Sequence, residues 1–147
     1  LDAIRVDFAA GAVQKMVLNG GENCDILFIE GQGSLLHPGS TATLPLIRGS
    51  QPTGLILVHR YGQQHIHDLP EFPIPLLVEV VKLYETVASA GGTFDKVKVQ
   101  AIVLNTFHLT EAEAKIAIQQ VHQETGIICN DVVRFGAESI LDSLLDF

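Results

Sequence analysis

Basic side chains are scarce in this sequence: 9 Lys and Arg stand against 17 Asp and Glu, for a formal net charge of -8. The few cations are dispersed, so the chain repels a phosphate backbone more than it attracts one, which argues against nucleic acid as a partner. Long apolar runs are missing as well. Hydrophobic residues make up 47% of the chain, yet no run approaches the roughly 18 to 20 residues of a bilayer helix. No basic stretch followed by an apolar one opens the sequence as a secretion signal would. The expectation is a cytoplasmic protein with no membrane partner. Cysteine is limited to Cys24 and Cys129, far apart and without a second cysteine nearby. That spacing gives neither a disulfide framework nor a Cys-x-x-Cys metal site, and both residues read as buried free thiols. A Walker A sequence, Gly-x-x-x-x-Gly-Lys-Ser/Thr, is also absent from the 147 residues.

What is present is a regular alternation of two patterns. The length suits one domain, enough to bury roughly two-thirds of the unfolded surface. Ile4, Phe8, Ala12, Val13, Met16 and Val17 recur at helical spacing, and Asn19-Gly20-Gly21 supplies the stop. Residues 25–30, Asp-Ile-Leu-Phe-Ile-Glu, then give a short apolar run between polar ends, as in a strand buried on both faces. The same pattern returns at residues 54–59, at 99–105 and, shortened, at 127–129. Between the second and third runs, Leu76, Leu77, Val80, Val81, Tyr84, Val87 and Ala88 predict the buried stripe of a helix. Glu79, Lys82 and Glu85 form its wet face and Gly91-Gly92 its end. Between the third and fourth, Thr110 and Glu113 form a capping box before Ala114, Ala117, Ile118 and Val121, with Gly126 as the stop. Residues 137–145 predict a final helix. Strands alternating with helices imply parallel crossovers: an α/β fold of three layers, a mostly parallel sheet flanked by helices, in a single domain spanning 1–147.

In such sheets ligands bind outside the carboxyl ends of the strands. The residues at those ends are Glu30, His59, Asn105 and Asn130, and their coincidence makes this edge the leading candidate site, although any strand must end in something polar. Glu30-Gly31-Gln32-Gly33-Ser34 is the most distinctive stretch. A carboxylate at a strand tip suits a cation, and two glycines let backbone approach an anion, as a Mg-nucleotide or another phosphate-bearing ligand requires. A tight turn without ligand reads equally from the same residues, and the stretch is too short of glycine for a dinucleotide fingerprint. His59, His65, His67 and Asp68 allow a zinc site, a solvated loop, or His59 alone as acid, base or anion ligand. His37, before Pro38, is a base near the glycine loop or an ordinary loop residue. His108 and His122 read as loop and helix-surface residues. No nucleophile elbow or Cys-His arrangement supports a hydrolase.

The stretch from Asp25 through Glu30-Gly-Gln-Gly-Ser-Leu-Leu-His-Pro38 carries a resemblance, together with residues 6–13, Val58-His-Arg, His65-Ile-His, Ile102-Val-Leu-Asn-Thr106 and Val133-Arg-Phe-Gly-Ala137. They resemble the C-terminal P-loop domain of a bacterial and archaeal family of formerly unknown function that includes proteins assigned as D-glutamate N-acetyltransferases. The strand-Glu-Gly-x-Gly pattern is also similar, more distantly, to dethiobiotin synthetases. The resemblance implies a P-loop NTPase-like fold lacking its Walker A segment in this chain. It also implies a preceding Rossmann-like domain and phosphate-loop strand, so that a chain opening on Leu1 is the latter part of a longer protein. By the same resemblance Glu30 and Asp7 are metal-site carboxylates for Mg, Glu30, His59 and His37 are catalytic candidates, and Gly31, Gln32, Gly33, Ser34 and Asn105 hold cofactor, with Asn105 near a nucleotide base. The implied cofactor is acetyl-CoA or Mg-ATP. The implied activity is N-acetylation of a small amino acid, with an ATP-dependent synthetase or a nucleotide-binding regulatory module as alternatives. A homo-oligomer is expected.

Overall fold

The computed structural model describes residues 4–31 and 33–145; Gln32, one of the cofactor candidates, lies outside the described residues. The chain falls into two compact units, Leu1–Pro52 and Thr53–Phe147.

The first unit holds α1, Val6–Gly20, and α2, Thr43–Ser50. Where they pack, a Cβ on Gly49 would collide with the Ala10 carbonyl oxygen and come within 2.7 Å of the Val13 Cβ. Only hydrogen fits at that contact. Ala9, Val13 and Ile47 are the buried apolar side chains of this unit. The expected stripe of α1 is displaced, since Phe8 and Met16 are exposed at 65% and 58%. The larger departure is residues 25–30, expected as a buried strand. They form no strand, and Ile26, Leu27, Phe28 and Ile29 are all exposed. The apolar run is real, but a strand needs a neighbour for its backbone hydrogen bonds. None of the described residues pairs with this run.

The second unit carries the α/β layer. The strands β1, Leu55–Arg60, β4, Val99–Asn105, and β5, Ile128–Asn130, form a parallel sheet in the order β1-β4-β5. Between β1 and the first helix of this unit lies an antiparallel pair, β2, His65–Ile66, and β3, Leu69–Pro73. Helices α3, Leu77–Ala88, and α4, Glu111–Thr125, make the crossovers, with the short α5, Val132–Phe135, and α6, Glu138–Leu145, closing the chain. A single-turn 3-10 segment, Ala90–Gly92, ends α3 at the expected glycines. The capping box is present: the Thr110 hydroxyl accepts from the Glu113 amide at 3.3 Å, while the Glu113 carboxylate accepts from the Thr110 amide at 2.8 Å. Gly126 caps the other end at φ 71°.

Leu77 and Val81 of α3, Val99, Ile102 and Leu104 of β4, Ala117 and Val121 of α4, and Cys129 of β5 form the core. Central β4 is covered on both faces, which is why its sequence reads as one unbroken apolar run. Leu76, assigned to the α3 stripe, is exposed instead. Glu85, assigned to the wet face, turns inward and accepts from Lys98 Nζ at 2.8 Å and the Val99 amide at 3.0 Å. No helix among the described residues is long and apolar enough to cross a membrane.

The two thiols part company. Cys129 is 8% exposed, and burial pushes its thiol up to about 12. Cys24, expected to be buried, is exposed on the loop after α1. A thiol reagent at neutral pH is expected to label Cys24 in the native protein and Cys129 only after unfolding, since the thiolate is the nucleophile. Peptide mapping of the labelled protein checks this, and rapid native labelling of Cys129 would contradict its burial.

Candidate functional site

The sequence-predicted residues fall into two groups, one in each unit. In the first, Asp7 lies exposed in the opening turn of α1 and Glu30 is exposed at the end of the apolar run. The glycines after Glu30 have a local explanation. A Cβ on Gly31 would strike the Leu46 side chain of α2, and Gly33, at φ 85°, would strike the Ser40 hydroxyl. The loop folds back on its own helix, pinned by Ser40 Oγ bonded to Thr43 Oγ1 at 2.7 Å. Ser34 Oγ accepts from the Leu36 amide at 3.1 Å, and its carbonyl accepts from the His37 amide at 3.1 Å. His37 Nδ1 accepts from the Gly39 amide at 3.0 Å, so the imidazole is part of the turn around Pro38. Among the described residues, no three His, Cys, Asp or Glu side chains converge on a metal position. His67 and Asp68 pair with each other at 3.0 Å at an exposed hairpin tip.

In the second unit, His59 is the penultimate residue of β1 and half-buried. Burial lowers its basicity below the ordinary 6.5, against the opposing pull of the Glu124 carboxylate. The imidazole is therefore neutral at pH 7 and competent to accept a proton. Asn105 ends β4, exposed, and its Oδ1 accepts from the Phe107 amide at 3.1 Å, fixing the side chain across the turn.

Beside Asn105 stands a polar cluster that strand-end reasoning passed over. The Asp131 side chain, 3% exposed as a residue, accepts four hydrogen bonds. Its Oδ2 accepts from the Thr106 amide at 3.1 Å and from the Thr106 hydroxyl, and its Oδ1 accepts from the amides of Val133 at 3.1 Å and Arg134 at 3.2 Å. Burial alone would raise its pKa. The bonds from the Thr106 hydroxyl and amide and from the Arg134 and Val133 amides outweigh burial, and the carboxyl is held below the ordinary 3.8. Arg134 completes the cluster by donating to the carbonyls of Thr106 at 3.0 Å, Phe107 at 3.3 Å and Leu109 at 2.8 Å. The segments following β4 and β5 are thus tied together through one carboxylate and one guanidinium at the carboxyl end of the sheet. The signal in the sequence was Asn130-Asp131, an Asp placed to cap the helix that follows a strand.

Comparison with known proteins agrees with this architecture. Residues 1–141 match the P-loop domain described as a domain of unknown function, DUF1611, C-terminal part. Two curated relatives, from Tritonibacter scottomollicae and Pseudoalteromonas sp., are each named D-glutamate N-acetyltransferase. They are 35% and 32% identical to the chain over 98% of its length. The chain spans 43% of the length of each. A solved structure of a DUF1611 family protein from Anabaena variabilis superposes with a TM-score of 0.97 at 64% identity, over 99% of this chain and 43% of that one. The residues matched, the sheet and the solved relative agree: this chain belongs to the DUF1611 family and carries its C-terminal P-loop domain.

Proposed function

We propose that this chain is the C-terminal part of an N-acetyltransferase that moves the acetyl group of acetyl-CoA to the amino group of a small amino acid such as D-glutamate. The observation that carries the reading is the match, over almost the whole chain, to two relatives bearing that name. Acetyl-CoA supplies the acyl group as a thioester. The amine nitrogen bonds to the carbonyl carbon, the carbon–sulfur bond breaks, and the amine's proton must leave. His59 suits that proton, because burial keeps its imidazole in the free-base form. Asn105, at the end of β4, serves the nucleotide part of the coenzyme.

The phosphates require more than this chain offers. It has no Walker A loop, and the glycines after Glu30 are already packed against Leu46 and Ser40. We assign the phosphate cradle to an N-terminal portion in the remaining length of the relatives. The same portion would cover the exposed run at residues 26–29. Glu30 and Asp7 are assigned to a Mg ion only if the reaction uses one, since Mg commonly takes one or two carboxylates and keeps water and phosphate ligands.

Ligand stabilisation separates acyl transfer from ATP-dependent chemistry. At acetyl-CoA concentrations on the order of 100 times the dissociation constant, the full-length protein should gain about 2.7 kcal/mol of stability and a higher Tm. ATP with Mg should give a smaller shift. A shift with ATP and Mg alone would favour a synthetase-like reaction and overturn the acetyl-CoA assignment.

A further inference from the structure

Between α1 and α2 of the first unit lies a cavity of about 290 Å³, with Gly11, Gln14, Val17 and Leu18 on the α1 side and Arg48 and Gln51 on the α2 side. It shares no residue with the sites at the strand ends. Two backbone features in its walls work against the stability of the fold. A glycine inside a helix weakens that helix relative to alanine. At Gly49 the close approach of α1 forces the choice, but a Cβ on Gly11 would meet no atom of the chain within 4 Å. The second feature is Gln51, which caps α2 in the left-handed conformation at φ 42° and ψ 64°, with its amide bonded to the Ile47 carbonyl at 3.1 Å. Glycine or asparagine normally fills that position, and a larger side chain there is strained. Strain of this kind collects where a ligand is gripped. The missing bulk at Gly11 keeps the cavity open, and the turn at Gln51 brings a second amide side chain to its wall.

We infer that this cavity is a binding site for a small N-acylated amino acid, separate from the site of reaction. The volume lies at the lower end of small-molecule sites, which start at about 300 Å³. Arg48 supplies a guanidinium, the group best matched to a carboxylate. Gln14 and Gln51 each offer an amide donor and an amide acceptor, the complement of a ligand amide. Val17 and Leu18 add an apolar wall for a short acyl chain. Phosphate is the poorer candidate. The α2 side of the cavity is the carbonyl end of that helix, where the helix dipole disfavours a multiply charged anion, and the lining holds a single cation. A molecule with a carboxylate, a secondary amide and a methyl group is what the proposed reaction releases. The inference takes its ligand class from that reading and gives the product a second place to bind.

Gly11→Leu fills the cavity without striking the chain and raises helix propensity, so its Tm should be no lower than that of the wild type. Calorimetric titration of the full-length protein with N-acetyl-D-glutamate, glutarate and inorganic phosphate tests the site. The wild type is expected to bind N-acetyl-D-glutamate more tightly than glutarate, which lacks the amide, or phosphate. Gly11→Leu and Arg48→Gln should each weaken that binding roughly ten- to hundredfold, while Gly11→Leu leaves acetyl transfer unchanged. If the wild type transfers no acetyl group but binds N-acetyl-D-glutamate in a way that Gly11→Leu abolishes, the site stands and the acetyltransferase reading falls. Binding that both variants leave unchanged would place the product at the site of reaction alone, overturning the second site and leaving that reading intact. A preference for phosphate, or a wild type that does not bind N-acetyl-D-glutamate, would also overturn it.

Discussion

Replacing Asp131 by Asn is expected to lower stability by about 2 to 4 kcal/mol, because buried donors that lose an acceptor carry their full desolvation cost. The carboxylate serves four donors through two oxygens. An Asn amide has one acceptor oxygen, so in either orientation its NH2 group faces the donors of Thr106 or those of Val133 and Arg134. Arg134, whose Nε lies 3.7 Å from Asp131 Oδ2, also loses its counter-charge. Thermal unfolding should show Tm lower by on the order of 10 °C. The difference should depend on pH in one direction only. The folded-state pKa of Asp131 lies below the ordinary 3.8, so the unfolded chain binds the proton first as pH falls. Its stabilisation is complete above the ordinary value and is lost as pH drops through the folded one. The two proteins should converge in acid. Equal melting at neutral pH would show that the cluster does not hold the sheet edge together.

The second large effect concerns turnover. Under the proposed function, His59→Gln should reduce kcat on the order of 100- to 1,000-fold, the range for a lost general base, with a much smaller change in KM. The wild-type kcat should rise with pH along a limb whose midpoint lies below 6.5, since burial lowers the His59 pKa. That limb should be missing from His59→Gln. The same shift has a stability consequence of known sign. The unfolded imidazole protonates first as pH falls below 6.5, so His59 destabilises the fold there. A pH-rate profile that His59→Gln leaves unaltered would remove the residue from the chemistry.

Much of the α/β layer could be read from the sequence because each element announces its own environment. The run in β4 is unbroken since both faces are covered, and α4 carries its capping box and its terminal glycine in local order. Non-local features were harder. Residues 25–30 have the composition of a buried strand, but pairing depends on a neighbour that composition does not reveal. Helix α2, to which the sequence reading assigned nothing, holds Pro45 in its first turn, where the missing amide of proline has no intrahelical partner to lose. The Asp131 cluster joins residues 25 apart in sequence. Reading strand ends one at a time found Asn105 and Asn130 but not the carboxylate that ties together the segments following them. Conversely, Gly31 and Gly33 drew attention as a possible anion cradle, and the fold gives them a steric task of their own against Leu46 and Ser40.

The central claim is acyl transfer, and product analysis addresses it most directly. The full-length protein would be incubated with D-glutamate and acetyl-CoA, with and without ATP and Mg, and the products separated by mass spectrometry. The account predicts N-acetyl-D-glutamate and free CoA thiol in equal amounts, with no requirement for ATP. Absence of the acetylated product in every condition, or its appearance only when ATP is consumed, would contradict it.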